Sequence, residues 1–276
     1  MINGTGNRLT AEIRRQSKLA QDIARTEIQV STGKRLLSAS DDPVGAARIS
    51  SLRRSQSDDS IWASNLSLGG SLASQADSVL ATVSERLSRA QELMVAGASQ
   101  SVSPADRNAI GLELRGIADE INSLSSTRSS LDEPLFATGN PVEIRFGESS
   151  TFAPVPRRSD VFEVGGTAIS VLVLSAATAV EGGNAANISQ SLTDITGSVG
   201  AVANSAADVG VRASRIARLS ESLATRAIEF ASERSALEDT DLSEALARLS
   251  GQRLTLQAAQ AAFARINSQT LFDILQ

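Results

Sequence analysis

The chain of 276 residues contains no cysteine and no histidine. Without cysteine there is no disulfide framework, no thiol nucleophile and no thiolate ligand for a metal. Without histidine, the commonest general base at neutral pH and the commonest zinc ligand are both missing. Aromatic residues make up 3% of the chain, Trp62 is the only tryptophan, and tyrosine is absent. A thick interior built on large rings is therefore excluded. The formal net charge of −5 gives no electrostatic reason to expect nucleic-acid binding. No run approaches the ~20 apolar residues of a membrane-spanning helix. The start, Met1 to Arg8, lacks the apolar stretch of a signal peptide. From these features alone the expected location is the cytoplasm.

The apolar residues that are present are mostly Ala, Leu, Ile and Val, and they are spaced for helices. From Ile188 they recur at alternating steps of four and three: Ile188, Leu192, Ile195, Val199, Val202, Ala206, Val209, Ala213, Ile216, Leu223, Ala227 and Phe230. Ser220 alone interrupts the series. A heptad seam sustained this long specifies a helix that packs lengthwise against another helix. At 1.5 Å per residue it runs for roughly 60 Å, a rod rather than part of a compact ball. Gly197, Gly200 and Gly210 lie inside it, where each costs about 1 kcal/mol relative to alanine, and they are expected to admit a neighbouring backbone. The first half supplies the partners. Pro43 is a favoured first-turn residue with Asp42 placed to cap it, and the following helix runs past Gly69 and Gly70, an expected bend, to Gly97. Ser103-Pro104-Ala105-Asp106 is a second start signal, followed by the stripe Ile110, Leu114, Ile117, Ile121 and Leu124.

Between about 130 and 182 the period changes to two, as in Val142 to Phe146 and Val161 to Val164, and Ala168 to Leu174 is rich in β-branched residues. Proline and glycine punctuate the segment. It predicts a small antiparallel β insert, a hairpin elaboration separable from the helices. The ends form a further unit. Residues 8 to 32 carry Leu9, Ile13, Ala20, Ile23 and Val30 at heptad spacing; residues 240 to 272 carry Leu242, Leu246, Leu249, Leu256 and Phe263. Two such amphipathic ends invite each other or the ends of neighbouring molecules. The expected fold is mainly α, a long coiled-coil-like helical rod built from both halves of the chain with a small central antiparallel β insert. The expected segments are a terminal assembly helix and spoke (1–42), rod helices (43–130), the insert (131–187), the return rod helix (188–237) and a second assembly helix (238–276).

Catalytic patterns are not found. Ser31-Thr32-Gly33-Lys34 superficially suggests a phosphate loop, but Arg35 follows the lysine and no glycine precedes at the required spacing. The acidic clusters Asp41-Asp42 and Glu238-Asp239-Thr240-Asp241 lack the alternating ligands of a calcium loop. Helix capping explains both without a metal. Serine is abundant, yet there is no Gly-x-Ser-x-Gly elbow and no histidine to activate one.

Residues 31–54, running from Ser31-Thr32-Gly33-Lys34 through Asp41-Asp42-Pro43 into a long helix, resemble the signature of the bacterial flagellin family. At the other end, Glu238-Asp239-Thr240-Asp241-Leu242 followed by Leu256-Gln257-Ala258-Ala259-Gln260 is similar to that family too. The resemblance covers about residues 1–130 and 188–276. It implies a fold in which paired terminal helices form an inner layer, the long middle helices bundle outside them, and the variable centre projects. The motif residues are then Gly33, Asp41, Asp42 and Pro43, and the assembly residues are Leu9, Ile13, Ile23, Val30, Leu242, Leu246, Leu249, Leu256 and Phe263. The resemblance implies a structural subunit, not an enzyme, with no cofactor or metal. Its implied partners are further copies and other flagellar axial proteins (hook-associated proteins and flagellin), with an export chaperone. It also replaces the cytoplasmic expectation with an extracellular one: the bacterial flagellum, reached by type III export without a cleaved signal peptide. Pro43-Val44-Gly45-Ala46-Ala47-Arg48 and the tail Ser268 to Gln276 resemble the branch of the family that joins hook to filament. A filament flagellin is the first alternative. An intracellular coiled-coil scaffold is the second, and it leaves the segment from Gly33 to Arg48 unexplained.

Overall fold

The computed structural model describes the backbone of residues 2–274 and the side chains of residues 10–265. Helix α1 (Ile2–Thr32) leads through a loop into α2 (Pro43–Gly97) and α3 (Pro104–Ser125). The short strands β1 (Ile144–Arg145) and β2 (Thr151–Phe152) come next, then α4 (Arg158–Phe162), β3 (Glu163–Val164) and β4 (Thr167–Ala168). Helices α5 (Ile169–Gly182), α6 (Ala185–Glu238) and α7 (Leu242–Ile274) complete the chain. The fold is mainly α with a small antiparallel β element, as the periodicities predict. The start signals operate as written. Pro43 opens α2, and Ser103 caps α3 by accepting a hydrogen bond from the Asp106 amide at 3.2 Å, with Pro104 at the first position.

The chain divides into a smaller unit, residues 1–56 with 227–276, and a larger one, residues 57–226. The larger unit holds the main apolar core. Along α6 the residues Ile188, Ile195, Val202, Val209, Ile216 and Leu223 are buried, one per heptad. They share a cluster with Leu66, Leu80, Leu87 and Met94 of α2 and with Leu114, Ile117 and Ile121 of α3. Alanines at Ala73, Ala76, Ala90, Ala118, Ala176 and Ala177 are buried between the helices, and their small side chains let the helix axes come close. Near the end of this unit Arg226 grips Asp59 with two hydrogen bonds of 2.7 and 2.6 Å and lies over the Trp62 ring.

The central insert has no core apart from that of the helices. Leu135, Phe136, Ile144, Val155, Val161 and Phe162 are all buried in the same cluster as α2, α3, α5 and α6. With few aromatics in the chain, the insert cannot build its own core, so it plugs into the helical one. Phe136 and Phe162 meet edge to face at 5.0 Å. Strand β1 pairs with β2 through Ile144↔Phe152 and Arg145↔Thr151. The hairpin is then fastened from outside. Arg215 of α6 lies over both Phe146 and Phe152, Arg212 donates to the Ala153 carbonyl at 2.6 Å, and Asn65 of α2 donates to the Arg145 carbonyl at 2.8 Å.

Of the β-branched run Ala168 to Leu174 only Ala168 is in a strand, β4; from Ile169 onward it forms the first turns of α5. Ile169, Val173, Ala176, Ala177 and Val180 are buried at helical spacing, and that burial against α3 outweighs a β propensity that is worth at most about 1 kcal/mol. The glycines also differ from expectation. Helix α2 runs unbroken through Gly69 and Gly70. A Cβ on Gly69 would come within 2.4 Å of Ile144 Cδ1, so this glycine admits the hairpin rather than a bend. At Gly197, Gly200 and Gly210 a Cβ would meet nothing within 4 Å, so they face open space.

These differences make a paired test. Gly69→Val should displace Ile144 and destabilise the protein by about 1–3 kcal/mol, the usual cost of overpacking. Gly197→Ala should stabilise it by up to about 1 kcal/mol, the helix-propensity difference. Thermal melting followed by circular dichroism reads both, and equal effects of the two substitutions would contradict the assignment.

Candidate assembly interface

The smaller unit is built where the two ends of the chain meet. Helices α1 and α7 run antiparallel, with Thr26 donating to Gln252 at 3.1 Å and Arg253 donating to Glu27 at 2.5 Å. The side chains turned toward the seam are Gln16, Leu19, Ile23, Thr26 and Val30 from α1, and Ala245, Leu249, Gln252, Leu256, Ala259 and Phe263 from α7. Of the sequence-derived assembly residues, Ile23 and Leu249 are thus buried, and Val30, Leu256 and Phe263 are half-buried. Ile13, Leu242 and Leu246 are 54%, 48% and 51% exposed. The Leu9 side chain lies outside the described residues. Sequence reasoning missed Ile28 and Leu254, exposed at 48% and 68%. Counting 100° per residue, both lie on the far side of their helices from the seam. A polar pair, Thr26 with Gln252, occupies the seam where an apolar pair would bind more tightly, an arrangement that fixes register at a cost in stability.

Helix α1 stops at Gly33, whose φ of +68° is left-handed, the usual helix-ending conformation of glycine. From there the two ends of the chain are bridged backbone to backbone. The Arg35 amide donates to the Glu238 carbonyl at 2.7 Å, and the Thr240 amide donates to the Gly33 carbonyl at 2.9 Å. Each acid of the motif is occupied by local structure. Asp41 accepts from the Leu37 and Ser38 amides at 3.2 and 3.0 Å and from the Arg25 guanidinium, closing the loop. Asp42 caps α2 by accepting from the Gly45 amide at 2.9 Å. Asp241 caps α7 through the Ser243 and Glu244 amides at 2.8 and 3.1 Å. Pro43 begins α2, where it lacks only an amide hydrogen that the helix would not use.

Ion pairs carry much of the remaining contact. Arg48 and Glu233 are joined by two hydrogen bonds of 2.6 and 2.9 Å. The hydrogen bond from Arg48 holds the Glu233 carboxyl below the ordinary carboxylate range. Glu238, 9% exposed, accepts from Lys34 at 2.6 Å and Arg53 at 2.9 Å. Among the described residues the buried apolar side chains of this unit are few: Ile23, Ile49, Leu52, Ala245 and Leu249. Chemically this is a closing arrangement, made of helix caps, backbone bridges and ion pairs. Among the described residues no group of acids is placed to hold a metal ion, and no helix is long and apolar enough to cross a membrane.

Comparison with known proteins bears on what this arrangement serves. The model of the bacterial flagellin N-terminal helical region matches residues 7–140, and that of the C-terminal helical region matches residues 192–275. The flagellar hook-associated protein 3 of Salmonella typhimurium is 29% identical over 165 residues, 60% of this chain and 49% of that protein. The chain thus spans about half the length of that relative. The flagellin of Listeria monocytogenes is 22% identical over 256 residues, 90% of this chain and 89% of that one. Among solved structures, a putative flagellar hook-associated protein from Vibrio parahaemolyticus superposes with a TM-score of 0.67 at 18% identity. It covers 72% of this chain and 100% of that one.

The capping roles are testable by themselves. Asp42→Ala should cost about 1 kcal/mol, within the 0.5–2 kcal/mol range for removing a helix cap. A Cβ on Gly45 would come within 2.6 Å of Asp42 Oδ2, so Gly45→Ala should reproduce much of that loss by pushing the cap away. Denaturant titration of the single and double variants checks this. A double variant whose loss is the sum of the two singles would mean the substitutions do not act on one cap.

Proposed function

The chain belongs to the bacterial flagellin family, and on that basis we propose that it is a structural subunit of the flagellum, seated at the hook–filament junction. The observation that carries this reading is the closed end of the molecule. The two family-matched regions meet there in one helix pair, capped and bridged by the motif residues Gly33, Asp41, Asp42 and Pro43. That pair hides Ile23 and Leu249 while leaving Ile13, Ile28, Leu242, Leu246 and Leu254 in contact with water. A lone molecule gains nothing from such exposure, whereas neighbours in a polymer would bury it. The sequence-derived assembly residues accordingly split into two roles. Ile23, Val30, Leu249, Leu256 and Phe263 hold the pair together, and Ile13, Leu242 and Leu246 join copies. Its partners are further copies and the other axial proteins, hook-associated proteins and flagellin, with a chaperone shielding the exposed ends before assembly. Its location is outside the cell, reached by type III export without a cleaved signal peptide. It performs no catalysis and carries no cofactor.

The likeness to the hook-associated protein of Salmonella typhimurium favours the junction. A second reading, the filament subunit itself, is favoured by the longer alignment with the Listeria flagellin. The two differ in stoichiometry. A junction subunit should be scarce in sheared flagella, and its loss should leave hooks while flagellin escapes into the medium. If this chain is the major protein of the filament, the second reading holds.

Assembly through the terminal helices is checked by two kinds of variant. Removing residues 1–32, or those after Thr240, should leave the larger unit helical but unable to enter a flagellum. Leu254→Glu combined with Ile28→Glu should keep α1 and α7 paired, since neither residue faces the seam, and still block incorporation. Normal motility and incorporation of both kinds of variant would end the proposal.

A further inference from the structure

Glu238 is the most enclosed acid of the smaller unit, and it is surrounded by cations from separate segments. Lys34 reaches it from the loop after α1, Arg53 from α2, and Arg234 from its own helix α6, at 2.6, 2.9 and 3.8 Å. Arg35 binds the same helix end through its backbone amide to the Glu238 carbonyl and through its side chain to the Leu237 carbonyl at 2.8 Å. The nearby acids are engaged elsewhere: Glu233 with Arg48, Asp42 with Arg35 and the α2 cap, Asp41 with Arg25, and Asp239 with Ser235. Glu238 therefore carries the negative charge for three cations alone. Glu238 also forms part of the wall of an open cleft of about 420 Å³, together with Leu36, Leu37 and Ile49. Protons and salt reach the group from that side.

We propose that Glu238 is an acid-released fastener: ionised, it pins the 33–42 loop and α2 to the end of α6, and protonated, it lets the loop go. A neutral carboxyl cannot offset Lys34, Arg53 and Arg234, whose mutual repulsion then opens the end where α1 stops and α7 begins. The direction in pH follows from the hydrogen bond donated by Lys34, chiefly, which holds the Glu238 carboxyl below its ordinary value. A carboxyl lowered in the folded state stabilises that state above its ordinary value of about 4.3 and loses that contribution as pH falls through the lowered value. In the larger unit Glu181 is likewise held below its ordinary value by the hydrogen bond from Arg115, but α6 between Ile195 and Ile216 is held by aliphatic burial. Applied to assembly, the fastener rests on the flagellar reading above; as a property of the free chain it does not.

Hydrogen exchange on the purified full-length chain, read at the Arg35 and Thr240 amides between pH 7 and pH 3, tests it. The wild type should lose protection there on acidification, while the amides of α6 between Ile195 and Ile216 keep theirs. Glu238→Gln should lower protection at Arg35 and Thr240 by roughly tenfold already at pH 7, the scale of losing charge-assisted hydrogen bonds, and should flatten the acid dependence. Glu233→Gln, which breaks only the exposed pair with Arg48, should leave the acid step in place. Circular dichroism confirms that each variant keeps its helices. An acid step unchanged in Glu238→Gln, or one present equally in α6, overturns the proposal. Loss of the step in Glu238→Gln supports it whether or not the chain proves to be flagellar.

Discussion

The aliphatic seam along α6 is the interaction on which the larger unit depends. A chain poor in rings can bury area only by laying small and branched side chains along each other over a long distance. The buried positions Ile188, Ile195, Val202, Val209, Ile216 and Leu223 do this once per heptad, and α2, α3 and α5 each place a stripe against the same cluster. Each such side chain contributes about 1.5–3 kcal/mol on full burial. No single residue dominates, so the unit tolerates glycines facing water and still holds one register. The insert belongs to this economy of small parts, since Phe136, Phe162 and Ile144 cover the helices and the helices in turn supply the core the insert lacks.

The smaller unit follows a different principle. Its apolar contacts are sparse, and arginines and carboxylates join its segments: Arg25 with Asp41, Arg48 with Glu233, Arg53 with Glu238 and Arg253 with Glu27. Pairs as exposed as Arg48 with Glu233 and Arg253 with Glu27 are weak, so they set geometry more than stability. A structure held this way keeps its apolar side chains available. Leu254 and Ile28 remain exposed, and that availability is what the proposed assembly through these helices would require.

Much of this was legible in the sequence, for identifiable reasons. The α6 seam is long enough that its period cannot be mistaken. Pro43 and Ser103-Pro104 mark helix starts through chemistry that acts within one turn, so no tertiary information is needed. Helix α5 was not legible, because Ile169 to Val173 satisfies strand and helix patterns alike and only its burial against α3 decides. The α1 seam was read one position off in places. Leu19 rather than Ala20 turns inward, and the polar Thr26 sits in the seam because its partner is Gln252, which lies far away in sequence. The role of Glu238 was hidden for the same reason. Its partners Lys34 and Arg53 come from the opposite end of the chain, and adjacency in sequence pointed instead to capping by its acidic neighbours.

The backbone bridge between the two ends has a consequence for how the molecule forms. Lys34 and Glu238 stand 204 residues apart, so their meeting is among the most distant closures in the chain. Once the larger unit has folded, Arg226 already holds Asp59, and only the stretches from 34 to 59 and from 226 to 238 remain loose. Because closure entropy grows with the logarithm of loop length, that shortening lowers the cost of joining the ends by roughly 1.5 kcal/mol. Closure therefore costs less once the larger unit has folded than before it. The contacts that close the ends, from the Arg35 amide to the Glu238 carbonyl and from the Thr240 amide to the Gly33 carbonyl, all precede α7 in the chain, so the bridge can form before α1 and α7 pair.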